Sequence, residues 1–245
     1  MTLPTNWMVR TDNDGLSHKG FRWQPIGQWT EAPDWNPQPV CGSGLHGQGQ
    51  FQHGREILRG FGYAQAGKRF CFCEIDPADA VVVDDDKMKC KRARILAVGA
   101  EAFELLNQAC KNKFPGSLDL RVMTIPPETI FPQSVAGTLY LQGATLPAGL
   151  VMPQSVGGYL YLHGATLPAG LILPQSVGGN LFLSGTTIPA GLVLPQSVGG
   201  YLDLGGTTIP AGLVMPQSVG GSLELTGATL PAGLVLPQSV GGSLN

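Results

Sequence analysis

Leu171-Ile172-Leu173-Pro174-Gln175-Ser176-Val177-Gly178-Gly179-Asn180-Leu181-Phe182-Leu183-Ser184-Gly185-Thr186-Thr187-Ile188-Pro189-Ala190-Gly191 is one 21-residue unit of a pattern that recurs almost unchanged to residue 245. Pro-Gln-Ser-Val returns at Pro132, Pro153, Pro174, Pro195, Pro216 and Pro237, usually with Leu-Val-Leu or a close variant before it and Gly-Gly after it. A period this short buries an apolar side only by stacking on copies of itself, so the pattern predicts a solenoid.

Leu139, Leu141 and Thr145 step back one period onto Leu118, Leu120 and Thr124, which places the array at 117–245 and leaves a head at 1–116. Leu160-Tyr161-Leu162 alternates as a half-buried strand does, and Leu171-Ile172-Leu173 supplies a second short apolar run. Glycines and prolines punctuate the turns, and the prolines belong at corners because they cannot donate to a ladder paired on both sides. Parallel strands stacked about 4.8 Å apart make six coils about 29 Å tall.

The expected architecture is an α+β head followed by an all-β parallel solenoid, or β-helix, of about six 21-residue coils. The alternative is a short leucine-rich-repeat-like solenoid, which Leu160, Leu162 and Leu167 fit. Against it, Gly157 replaces the first leucine, Ala165 or Thr186 stands at the asparagine position, and prolines and glycines interrupt every stretch long enough for a helix.

Composition divides the chain at the same place. Of 15 basic and 17 acidic residues, only Asp119, Arg121, Glu128, Asp203 and Glu224 fall in the array, while every cysteine and tryptophan precedes it. A segment so poor in charge stays soluble by turning its apolar residues inward. The net charge of −2 announces no nucleic-acid partner. Met1 to Arg10 does not read as a signal peptide, and nowhere do 18 apolar residues run together, so neither export nor a membrane span is expected. Cys41, Cys71, Cys73, Cys90 and Cys110 lack the even, dense spacing of a disulfide scaffold. Reduced thiols in a cytoplasmic or phage-virion protein are the simpler expectation.

In the head, Phe70 to Ile75, Ala80 to Val83 and Arg92 to Leu96 read as strands, and Glu101 to Lys113 as a helix with lysines in its last turn, leading into and capping the first coil. Cys41-Gly-Ser-Gly-Leu-His46-Gly is its most distinctive loop, with Cys41 and His46 as candidates for nucleophilic chemistry against the plainer reading of a structural turn. Cys41, His46, Cys71 and Cys73 offer zinc-type donors, but a C-x-C spacing also arises from two residues sharing a strand face, and no metal or cofactor is assigned. Lys87, Lys89, Lys91, Arg92 and Arg94 read as one solvated strand face beside three aspartates.

Gly20-Phe21-Arg22-Trp23, the Cys41 to His46 loop and Val82-Val83-Asp84 through Lys87-Met88-Lys89 resemble an uncharacterised N-terminal domain of phage and bacterial proteins. In that group the domain precedes arrays similar to the V-G-G-x-L-x-L-x-G-T coil at Val177 to Thr186. The resemblance implies architecture and origin, and names no activity. His46-Gly47 followed by Arg55-Glu56-Ile57-Leu58 is similar to the histidine-glycine pair of ADP-ribosyltransferase-like folds, although the chain shows no Ser-Thr-Ser or tyrosine motif of that family.

The repeat varies chiefly where the Leu-x-Leu strand points outward. The middle column reads Asp119, Tyr140, Tyr161, Phe182, Asp203 and Glu224; the column before it includes Thr138, Tyr159, Asn180, Tyr201 and Ser222. Variation on one strip over a copied core suits a modular binding face, and Tyr140, Tyr159, Tyr161, Phe182 and Tyr201 would form an aromatic patch for a protein or glycan partner. Drift at unconstrained surface positions is the competing explanation. A second column, Thr124, Thr145, Thr166, Thr187, Thr208 and Thr229, is invariant, which suits either ice binding or satisfaction of turn groups. Open coil edges would template homo-oligomers end to end. The sequence thus predicts a structural or interaction protein, an arm anchored by a head, with an enzymatic head as the rival.

Overall fold

In a computed structural model, which describes residues 3–12, 14–16, 22–38, 44–51, 55–57, 69–84 and 87–245, each 21-residue period closes into one coil and stacks in register on the next. The coil has four short sides. Leu139-Tyr140-Leu141 forms the first, and Leu139 pairs in parallel with Leu118 below and Leu160 above. Ala144-Thr145-Leu146 forms the second, Thr145 bridging Thr124 and Thr166. Leu150-Val151-Met152 forms the third, with Val151 bridged to Ile130. Ser155-Val156 forms the fourth, between Ser134-Val135 and Ser176-Val177.

Alternation decides what fills the coil. Leu139, Leu141, Ala144, Leu146, Leu150, Met152 and Val156 are buried, whereas Thr145 and Val151 point out. Strands of two residues cannot support themselves, so their stability comes from stacking: one continuous apolar core runs from Leu118 to Leu223. The arrangement is the β-solenoid; no part of the array is helical, which removes the leucine-rich-repeat alternative.

Two glycine columns serve different physical needs. Gly143 and Gly149, with their copies in later coils, turn corners at φ of 64° and 77°, the left-handed region that side chains resist. Gly157 and its copies stand where adjacent coils touch, since a Cβ on Gly178 would overlap the Gly157 carbonyl oxygen. The first coil departs from this lattice by carrying Val122 and Glu128 at the two left-handed corners, at φ of 52° and 65°.

The head is an antiparallel sheet with one α-helix among the described residues. Its strands are β1 (Trp7–Asp12), β2 (Thr30–Glu31), β3 (Leu45–Phe51), β4 (Arg55–Ile57), β5 (Arg69–Ile75), β6 (Val81–Asp84), β7 (Lys87–Cys90) and β8 (Arg92–Val98), in the order β2-β8-β5-β1-β3-β7-β6, with β4 beside β3. The strands expected around Phe70, Val81 and Arg92 are therefore present as β5, β6 and β8. The helix α1 spans Gly99–Ala109, shorter than the expected run to Lys113: Lys111 and Asn112 take positive φ, and Lys113–Phe114 becomes β9, pairing in parallel with Ser134–Val135.

Head and array share that same core. Phe103 of α1 stacks on Phe70 at 4.0 Å between centroids and meets Phe131 of the first coil edge-on at 5.6 Å. Asn107 of α1 donates from Nδ2 to the Ile130 carbonyl at 2.8 Å.

Candidate functional site

The Leu-x-Leu side of the solenoid carries the aromatic strip. Stacking in register brings Tyr140, Tyr161 and Phe182 into one ladder, with centroids 5.3 Å and 4.6 Å apart and ring planes within 5° and 4°. Tyr159 and His163 meet Tyr161 edge-on at 6.0 Å and 6.1 Å, and Tyr201 lies tilted against Phe182 at 6.1 Å. All five sequence-predicted aromatic residues are thus brought together. The ladder's inner ring faces lie against neighbouring rings, and the Arg121 guanidinium sits 5.5 Å from the Tyr140 centroid. With ring faces turned to one another, the ladder offers a partner ring edges, the electropositive rim of the π system, and the polar hydroxyls of its tyrosines.

Charge frames the strip unevenly. At the head end, Arg121 pairs with Asp119 at 2.6 Å, and Asp119 is buried beside it. At the other end stand Asp203 and Glu224, paired in register on adjacent coils. Hydrogen bonds from Thr226, then Asn245, hold Glu224 below the usual carboxylate range. Burial, followed by the nearby Asp203 and Glu224, pushes the Tyr201 phenol up. Burial and then Tyr140 and Tyr159 do the same for Tyr161.

Part of the variation on this side is structural. Ser117, Thr138, Asn180 and Ser222 each accept, from their side-chain oxygens, the backbone N–H one period later: Thr138 at 2.9 Å, Tyr159 at 3.2 Å, Tyr201 at 2.8 Å and Ser243 at 3.0 Å. Asp119, Asp203 and Glu224 accept the N–H two residues on, at 3.1, 3.0 and 2.9 Å. These polar residues hold the coil edge together. No sequence signal distinguished the two sets, because the first set of caps is made across coils.

The invariant threonines point outward as a single column, flanked by buried residues in every coil but the last. Internal hydroxyl bonding falls instead to Thr186 and Thr207, which donate to the carbonyls of Leu162 and Leu204 at 2.8 and 2.7 Å.

In the head, Cys41 lies outside the described residues. His46 sits on β3 opposite Lys89 of β7, and its carbonyl accepts from Arg10 Nη1 at 3.5 Å. Cys71 and Cys73 are buried on β5 in one apolar cluster with Cys90 and Met88. Burial pushes the Cys73 thiol up to about 12 and raises Cys71 and Cys90 as well, so these three are neutral packing groups rather than nucleophiles. Among the described residues no three His, Cys, Asp or Glu side chains are grouped to hold a metal ion.

The basic run is not one solvated face. Lys89 is fully buried, with Nζ 5.6 Å from the Trp35 centroid, while Arg92 and Arg94 flank Trp29 at 5.1 and 5.2 Å and pair with Asp76 and Glu74. The alternation misled because β7 is covered on both sides: Met88, Lys89 and Cys90 are all buried.

Among the described residues no helix is long and apolar enough to cross a membrane. The fold defines a β-solenoid repeat protein with a mixed α+β head. Comparisons with family models, curated proteins and solved structures returned no match.

Proposed function

We propose that this is a non-enzymatic interaction or structural protein of phage or bacterial origin, in which the head anchors a rigid solenoid arm and the arm binds a protein partner through its aromatic side. The aromatic ladder carries the reading. Tyr140, Tyr161 and Phe182 occupy the middle coils at a position where other coils carry carboxylates that bond the local backbone. Tyrosine supplies large, stiff contact area at low entropy cost, and hydroxyl-bearing edges suit the amides and side chains of a polypeptide. A glycan that stacks on ring faces finds those of the ladder turned toward neighbouring rings.

The test is peptide display on the full chain beside a Tyr159→Ser/Tyr161→Ser/Tyr201→Ser variant of verified fold. Sequences enriched on the wild-type protein and lost on the variant support the reading. Equal binding to both, or no enrichment on the wild-type protein, overturns it.

A further inference from the structure

A different side of the solenoid is apolar outward as well as inward. Ile130, Val151, Ile172, Val193, Val214 and Val235 form one column at 21-residue spacing, and each is 48 to 78 % exposed. Propensity accounts for a β-branched residue in a strand, but not for a hydrocarbon one: the adjoining second side meets the same demand with threonine in every coil. A continuous exposed stripe of this kind on a folded protein marks an association surface.

Charge identifies what covers it. From Ile130 to Gln238 the column and its Pro-Ala-Gly and Pro-Gln corners contain no Asp, Glu, Lys or Arg; the only charges in that span, Asp203 and Glu224, belong to the aromatic side. A surface without charge offers no register or steering to an unlike partner, and suffers no repulsion from its own copy. Periodicity makes it self-complementary, because a column repeating at about 4.8 Å meets an identical column at the same spacing. Two shallow depressions lie on this side, between the Val151 and Ile172 rows and between the Val214 and Val235 rows, and both are walled by leucine, methionine, proline and glutamine.

We infer that the Ile/Val column is the interface of a two-fold homodimer, in which two solenoids pack side against side and leave both aromatic strips free. At about 3.3 Å per residue, a quarter of a 21-residue coil is at most about 17 Å wide, so the side measures about 29 Å by about 17 Å, roughly 500 Å² per copy, which falls among weak, transient pairs rather than standard-sized interfaces. The association is accordingly expected to be weak and reversible, and to appear only as the chain is concentrated. It does not depend on the aromatic reading, since the two surfaces share no residue.

Sedimentation equilibrium of the full chain across a concentration series tests it, beside Ile172→Lys/Val193→Lys and Tyr161→Ser. Both altered sites point outward, so the fold is expected to persist, and circular dichroism with thermal unfolding verifies it. The wild-type and Tyr161→Ser chains are expected to pass from monomer to dimer and stop there. The double lysine variant is expected to remain monomeric, with dimerisation weakened at least about 100-fold. A wild-type chain monomeric up to about 1 mM, association that survives the lysines, or growth beyond the dimer overturns the inference. Ile172→Cys and Val193→Cys copies, mixed and oxidised, give a second reading: cross-links at these positions support the interface, and none under conditions where the chain is dimeric counts against it.

Discussion

The head and the array bury their apolar residues by opposite means. In the head, strands of up to seven residues pair antiparallel and each core position is filled once, by a side chain suited to that place: Trp7 stacks on Phe72 at 5.3 Å, and Gly47 is glycine because a Cβ there would stand 2.6 Å from Met8 Sδ. In the array, short coil sides fill seven or so inward positions mostly with leucine, isoleucine, valine, methionine or alanine, and repeat the solution coil after coil with few exceptions such as Thr186, Thr207 and Phe131. The head therefore depends on particular contacts distant in sequence, and the array on agreement between neighbours. Each is vulnerable in its own place: the head at single large side chains, the array at whatever keeps coils at their spacing.

The sharpest way to break that contrast is at the joint. Phe103 is fully buried and touches both the head, through Phe70, and the first coil, through Phe131. Phe103→Ala is expected to cost about 3–5 kcal/mol, the usual range for emptying such a site. It should also split unfolding into two transitions, because the array loses the helix that covers its first coil. Calorimetry decides: a single transition, lowered but still cooperative, would mean that head and array are held together by something other than this aromatic cluster.

Periodicity also governed what could be read in advance. The inward residues recur coil after coil, so the solenoid, its Leu-x-Leu side, the second apolar run and the outward aromatic and threonine columns were legible from spacing, whereas the Ser155-Val156 side was not. The head gave its strands near Phe70, Val81 and Arg92, but not the burial of Lys89, because alternation identifies faces without saying whether a second layer covers them. The expected helix runs four residues past the observed one: Lys111 and Asn112 are compatible with a last turn, and only the pairing of Lys113–Phe114 with Ser134–Val135 pulls the chain out of the helix. The small polar residues of the variable column read either as part of a binding face or as drift. They are backbone caps whose partners lie 21 residues away, a distance at which local pattern carries no signal.

A matched pair of glycine-lattice substitutions sharpens the role of coil spacing. Gly178→Ala adds one methyl group against the Gly157 carbonyl, and the backbone of a stacked coil cannot step aside alone. A loss of about 1–3 kcal/mol is expected, of the size that overpacking costs elsewhere. Val122→Gly runs the other way: it removes a β-branched residue from a φ of 52° that the next five coils all assign to glycine, and about 1 kcal/mol should be gained, set against the greater freedom of glycine in the unfolded chain. Urea denaturation reads both. If Val122→Gly destabilises, the packing of Val122 outweighs its backbone strain and the first coil is not simply an imperfect copy of the others.

The smallest expected effect probes the aromatic ladder itself. Burial, then the neighbouring Tyr140 and Tyr159, raises the Tyr161 phenol above its ordinary value of 10.0, so the folded chain holds that proton more tightly than the unfolded chain does. The stability linked to it is present in full below about pH 10 and is lost as pH rises through the folded value. Thermal unfolding followed from about pH 8 to about pH 11 should therefore fall less steeply for Tyr161→Phe than for the wild-type protein. The phenylalanine keeps the ring and its stacking on Phe182, so the two proteins should unfold alike near neutral pH. A large neutral-pH difference would show that the hydroxyl is bound into the fold, and would shift the ladder from a surface offered to a partner toward a support for the coils beneath it.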